Sequence, residues 1–197
     1  MGGDDRMIAH THRIVGEFLY HQLSEELQSS LNRRRFVYGN VKPDIAKEYR
    51  KMSHYYRDNR DVIFNMLHEL LTQNQSIDSL SENLGILIHF FCDYTCVYHA
   101  NDYVHDNHSI RLHMQYETKL HFYTIRQLKV SHEIRIIPFQ SIQEIYDYVE
   151  QLTKEINQEQ SRICVEFDFN QMMTLSLSVT LYVLNQINQS NLLVNER

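Results

Sequence analysis

Prolines number two and glycines five in 197 residues. So few breakers argue against a chain of many tight turns and for long uninterrupted helices. Cysteine is sparse as well, with Cys92, Cys96 and Cys164 only. An odd, small number excludes a disulfide framework and points to a reducing compartment. No run of 18 apolar residues occurs, so no segment is expected to span a bilayer. The opening MGGDDRMIAHTH lacks an apolar core, which argues against a secretory signal. Arg6 stands where a myristoylation motif needs Ser or Thr. A cytoplasmic location is expected. Positive charge is not in excess either: the net charge is −6 and the lysines and arginines are scattered. A broad nucleic-acid surface is therefore not expected. The tightest basic run, Arg33 to Arg35, reads as a solvated helix end.

What the chain does have is apolar periodicity. At 43% hydrophobic it can bury a core, and its length suits one domain. Ile8, Ile14, Val15, Phe18, Leu19, Leu23 and Leu27 recur at three- and four-residue steps, which predicts one helix over 8–33. Gly39 and Asn40 mark a break, and Pro43 suits the first turn of a short helix over 44–53. Val62, Ile63, Met66, Leu67, Leu70 and Leu71 predict a helix over 58–74. Ser79 to Glu82 fits a capping box. The segment 80–100 is apolar nearly all round and predicts a buried central helix. NDYVHDNHS reads as a polar loop, followed by helices over 109–128 and 140–158. KVSHEIRII has strand character, and TLSLSVTLYV alternates with period two. Yet Leu175, Val179, Tyr182, Val183 and Gln186 also fit a helical stripe, and the tail is assigned as helix. The fold class is all-α, a single-domain multi-helix bundle over 1–197. Residues 8–128 carry the polar constellation described next, and 138–190 complete the bundle.

Histidine is abundant, at twelve. The informative ones sit a helical turn from a carboxylate. His89 and Asp93 are four residues apart, which stacks them on one helix face about 6 Å apart along the axis. Both can reach one cation. His99 lies six residues further on, about 240° round an ideal helix, so it suits a neighbouring ion, with Asp93 able to touch both. His113 and Glu117 repeat the four-residue device. With His99 they make a His2Glu set, the donor type of open zinc sites. Asp44 and His54 lie upstream, and His10 and His12 earlier still. Nitrogen and carboxylate donors without sulfur suit zinc, with manganese or iron as alternatives. Cys92 and Cys96, also four apart, could be soft ligands, but buried small hydrophobes are the commoner role.

In chain order these pieces are THRIV, KPDI, SHYY, LGILIHFFCDYTCVYHA and HMQYE. That arrangement resembles the zinc-dependent phospholipase C family and its relatives among the single-strand-specific zinc nucleases, over roughly residues 9–120. The resemblance implies a metal cluster between helices, with two or three zinc ions. Asp44, His54, His89 and Asp93 would hold one, and His99, His113 and Glu117 a second. His12, with Asp93 bridging, would hold a third. In the family the third ion also takes a processed amino terminus, usually a tryptophan, which this chain lacks. His10 or water could stand in, or the site could be dinuclear. Val97 replaces a proline common in the family. The implied activity is hydrolysis of a phosphoester by a metal-activated water, most simply a phosphodiester. The substrate would be a phospholipid head group or a nucleotide. Asp44 would be either the catalytic base or a ligand only. Tyr55, Tyr56, Tyr98 and Tyr103 are candidates to line a substrate pocket, or else pack the core.

Two alternatives remain. A non-catalytic metal-binding helical interaction protein would use the same donors in a closed site. An HD-type phosphohydrolase needs an adjacent His-Asp pair, and His105–Asp106 is the one such pair. A di-iron bundle would need Glu-x-x-His, which does not occur.

Overall fold

A computed structural model describes residues 5–49, 51–107, 109–130, 133–158 and 164–195. Every regular element among them is helical, with no strand. The centre is α6, Ile77–Tyr94. Its residues from Leu84 to Tyr94 are buried on all sides, as an apolar helix without a polar face must be. Its start differs from the sequence expectation. Ser76 is the N-cap and its hydroxyl accepts the Ser79 N–H, so the cap lies three residues earlier than the Ser79–Glu82 box.

The helix expected over 8–33 is three. α1, Asp5–Gln22, lays Val15 and Leu19 on the core. α2, Glu25–Ser29, begins at Ser24, whose side chain accepts the Leu27 N–H. α3, Arg33–Gly39, begins at Asn32, which caps the Arg35 N–H in the same way. Two cap residues within one apolar stripe end the helix twice, because each offers the backbone an alternative to continuing. The arginine run starts α3 and is spent on surface ion pairs, Arg33 with Glu17 and Arg35 with Glu82. The short helix over 44–53 is likewise smaller: α4 is Lys42–Ile45, with Pro43 in its first turn, and a 3-10 turn follows over Lys47–Tyr49. α5, Tyr56–Thr72, buries Ile63, Phe64, Leu67 and Leu70.

The expected helix over 80–100 breaks after Tyr94. Thr95 turns its hydroxyl onto the carbonyl of Cys92, and Cys96 is extended. α7, Val97–Ala100, then runs in a new direction. The polar loop contains α8, Asp102–Asp106, capped by Asn101 on the Val104 N–H. α9 is Ile110–Lys129 and α10 is Ile142–Gln158.

α11, Val165–Asn195, takes up the tail as one helix. The period-two serines and threonines that suggested a strand are buried helix positions. Ser176 meets the Cys92 thiol at 3.3 Å, Thr180 bonds back to the Ser176 carbonyl, and Ser178 takes the Ile137 N–H. Small side chains here let α11 pack closely on α6. The strand-like KVSHEIRII has Ser131 and His132 outside the described residues, and 133–137 is irregular.

A close approach positions the site. Gly39 of α3 and Gly85 of α6 face each other so tightly that a Cβ on either would collide with the opposing backbone. Only glycine permits that contact. It brings the carbonyl of Asn40 to His89, a turn further along α6.

Candidate metal centre

Eight side chains converge where α1, α4, α6, α7 and α9 meet, with His54 supplied by the segment before α5. Asp93 is the hub. One oxygen, Oδ1, lies 3.2 Å from His12 Nε2, and the other, Oδ2, lies 2.7 Å from His54 Nδ1 and 3.3 Å from His89 Nε2. Asp44 Oδ1 lies 3.7 Å from the same His89 nitrogen. A second group sits beside the first: Glu117 Oε1 is 3.1 Å from His99 Nε2 and 2.8 Å from His113 Nε2, which are 3.3 Å from each other. The His54 and His99 rings, 6.3 Å apart, link the two groups.

These separations fit metal ligation. Zinc holds nitrogen and oxygen ligands at about 2.0–2.1 Å in a tetrahedron, which places neighbouring ligand atoms about 3.3 Å apart. The two ring nitrogens of His99 and His113 point at each other at that spacing and share one carboxylate oxygen. His89 is buried and its Nδ1–H donates to the Asn40 carbonyl at 2.9 Å, so the neutral ring presents the Nε2 lone pair to Asp44, His54 and Asp93. A buried polar atom without a partner lies at the same place, Asp44 Oδ2. Natural proteins seldom leave such groups unpaired without a functional cause. The residues therefore fit a cluster of divalent ions, in three groups of donors: His12–His89–Asp93, Asp44–His54–His89 and His99–His113–Glu117.

The electrostatics agree. Burial opposes charge on Asp93, yet His89, His99 and His12 hold its carboxyl well below the usual range. Burial likewise opposes charge on Glu117, and the bonds from His113 and His99 bring it down to about 2. Burial, then the charge of His12, push His89 downward, so it stays neutral and available. His54 is pushed down by burial, but the Asp93 bond and charge outweigh this and raise it to about 9. Asp44 differs from the other carboxylates: burial raises it to about 6, offset only in part by His89.

Other expectations are corrected or sharpened. His99 joins the second group not because a continuous helix turns it to another face, but because the helix ends at Tyr94 and α7 carries it. His10 is exposed, with its ring 5.3 Å from that of His121, and belongs to none of the three donor groups. The amino terminus considered for the third ion, Met1 and Gly2, lies outside the described residues. Cys92 and Cys96 border the cluster but belong to none of the three donor groups; Cys92 meets the Ser176 hydroxyl, and burial raises both thiols above their ordinary values. Tyr56 is core, its hydroxyl donating to Glu150, and Tyr103 projects into solvent. Tyr98 stacks on His113 at 4.9 Å and Tyr55 lies 5.6 Å from His99. His105–Asp106 belongs to α8, and Asp106 accepts from Arg57 at the surface, 2.7 Å away, outside the three donor groups. Asn40 and Asp168 were not legible as site residues. The first acts through its backbone, and the second lies far along the chain.

The zinc dependent phospholipase C family model matches residues 10–170. No curated protein and no solved structure gives a significant match. Among the described residues, no helix is long and apolar enough to cross a membrane. With a match over most of its length and donor groups drawn from five helices and the segment before α5, the chain belongs to the zinc-dependent phospholipase C family.

Proposed function

We propose that the chain hydrolyses a phosphodiester of the phospholipid head-group type, with a nucleotide as the alternative substrate. Two or three zinc ions would be held by His12, Asp44, His54, His89, Asp93, His99, His113 and Glu117. The observation that supports this most is the adjacency of the groups. Two sets of donors meet side by side, with Asp93 offering a separate oxygen to His12 and to His54 and His89. Zinc bound there would neutralise phosphate oxygens and bring the pKa of a water towards about 7.

The protein's own groups do the rest. Asp44 turns Oδ1 toward His89 and keeps Oδ2 without a partner. An unpartnered carboxylate oxygen beside the donor groups is free to accept a proton from water. In this reading Asp44 Oδ2 removes the proton from the attacking water as its oxygen bonds to phosphorus. The opposite P–O ester bond breaks, and the departing alcohol oxygen takes a proton from solvent. His54 is 24% exposed, more than the other donors whose exposure is known, which places the solvent opening beside it. Tyr55, beside His54 and His99, and Tyr98, stacked on His113, border the donor groups and would contact the alcohol portion.

The test is hydrolysis of bis-p-nitrophenyl phosphate and p-nitrophenylphosphorylcholine, with and without chelator. Zinc-restorable turnover is expected on at least one. A folded, zinc-loaded protein inert on every phosphoester would leave the metal-binding interaction protein as the better reading.

A further inference from the structure

The second donor group sits on two elements that do not continue one another. His99 is on the four-residue α7, and His113 and Glu117 are on α9. A helix of one turn does not hold itself in place. Something else must fix where α7 stands relative to α9, since a ligand atom displaced by an ångström no longer shares an ion with its partners.

One side chain bridges the two. Asp168, in the first turn of α11, is wholly buried. Its Oδ2 accepts the backbone N–H of Val97, the first residue of α7, at 3.1 Å. The same oxygen accepts the hydroxyl of Tyr116 at 2.7 Å, and Tyr116 immediately precedes Glu117 on α9. Cys96 is the cap position of α7 and has no capping bond of its own, so Asp168 supplies from α11 what the local sequence lacks. Tyr98 then stacks on His113 and closes the arrangement from the other side.

We infer that Asp168 is a positioning residue for the His99–His113–Glu117 group, tying α7 to α9 so that these three donors meet. The inference rests on the proposed reading of the group as a metal site. Asp168 touches none of the three donors; its effect passes through Val97 and Tyr116. One buried oxygen that accepts both the Val97 N–H and the Tyr116 hydroxyl fixes the two elements relative to each other.

The experiment is zinc content and chelator-competition affinity for the full chain, in wild type, Asp168→Ala, Asp168→Asn, Tyr116→Phe and His113→Ala. Asp168→Ala should lose about one equivalent of zinc, or weaken one site on the order of tenfold or more, while the remaining zinc is held as in wild type. Asp168→Asn keeps an acceptor oxygen and should stay within about threefold of wild type. Tyr116→Phe should fall between. Adding Asp168→Ala to His113→Ala should cost no further zinc, since both act on one ion. Should Asp168→Ala fail to fold, the other two decide: Tyr116→Phe weakening one site with Asp168→Asn intact supports the role. Wild-type zinc with unaltered affinity in Asp168→Ala, or in Tyr116→Phe where the alanine variant is lost, overturns it. So does equal weakening of every site. A wild-type chain that holds no zinc overturns the reading of the site itself, and this inference with it.

Discussion

In the proposed reading Asp44 divides its work between two oxygens, and that division can be tested. With Oδ1 toward His89 and Oδ2 unpartnered, ligation and base catalysis fall on different atoms. Asp44→Asn keeps an oxygen for the metal and removes the base. Zinc content is expected to stay near wild type while kcat on a phosphodiester falls on the order of 10²–10⁴-fold. Equal loss of zinc and rate would leave Asp44 as a ligand only. A second residue-scale expectation concerns Asp168. Burial raises it to about 7, against the opposing bond from Tyr116. Its folded-state pKa lies above the unfolded one, so between about pH 4 and 7 the native state binds more protons. In chelator, stability should therefore fall as pH rises through that window, by roughly a few kcal/mol at most. Urea titrations of Asp168→Asn should lack this component, and identical slopes in the two proteins would refute it. The pairs His89–Asp93 and His113–Glu117 were legible in the sequence because a four-residue spacing encodes one helix face directly, whereas His12, Asp44 and His54 were joined to them only by resemblance to the family. Asn40 was not, because a backbone carbonyl leaves no mark on residue type. Asp168 was not, because 69 residues separate it from His99 and only packing brings them together.

The helices themselves show where local pattern suffices and where it fails. α5, α9 and α10 lie within two residues of their expected ends, since a one-sided apolar stripe has a single burial solution. The α1–α3 region misled because the apolar stripe continues across the cap at Ser24, and the expected helix was carried on to the next cap at Asn32. The break after Tyr94 misled for a different reason: apolar residues run straight through it, and burial of both segments conceals the change of direction. At this scale the α3–α6 contact is decisive. Gly85→Ala would place a methyl against the backbone of α3. It should force α3 outward and cost roughly 1–3 kcal/mol, readable as a lowered denaturant midpoint. The bond from His89 to the Asn40 carbonyl would lengthen with it, so zinc affinity should fall as well. A Gly85→Ala protein of unchanged stability would show that the two helices can separate at no cost.

Across the whole molecule, the all-α class followed from few breakers and strong periodicity, and the ambiguous regions were KVSHEIRII and α11; the second is the instructive one. There the alternating Ser and Thr looked like a strand because period two was read without its setting. Buried in the core, Ser176, Ser178 and Thr180 each find a partner, the Cys92 thiol, the Ile137 N–H and a carbonyl one turn back, so a helix leaves these hydroxyls satisfied. α11 thus contributes both core and, through Asp168, support for the donors on α7 and α9. The central claim is that donors from separate helices cage adjacent zinc ions. Elemental analysis of the purified full-length chain, after removal of loosely bound metal, tests it most directly. Two or three zinc per chain are expected, falling by about one in His113→Ala; zero or one in the wild type would contradict the claim.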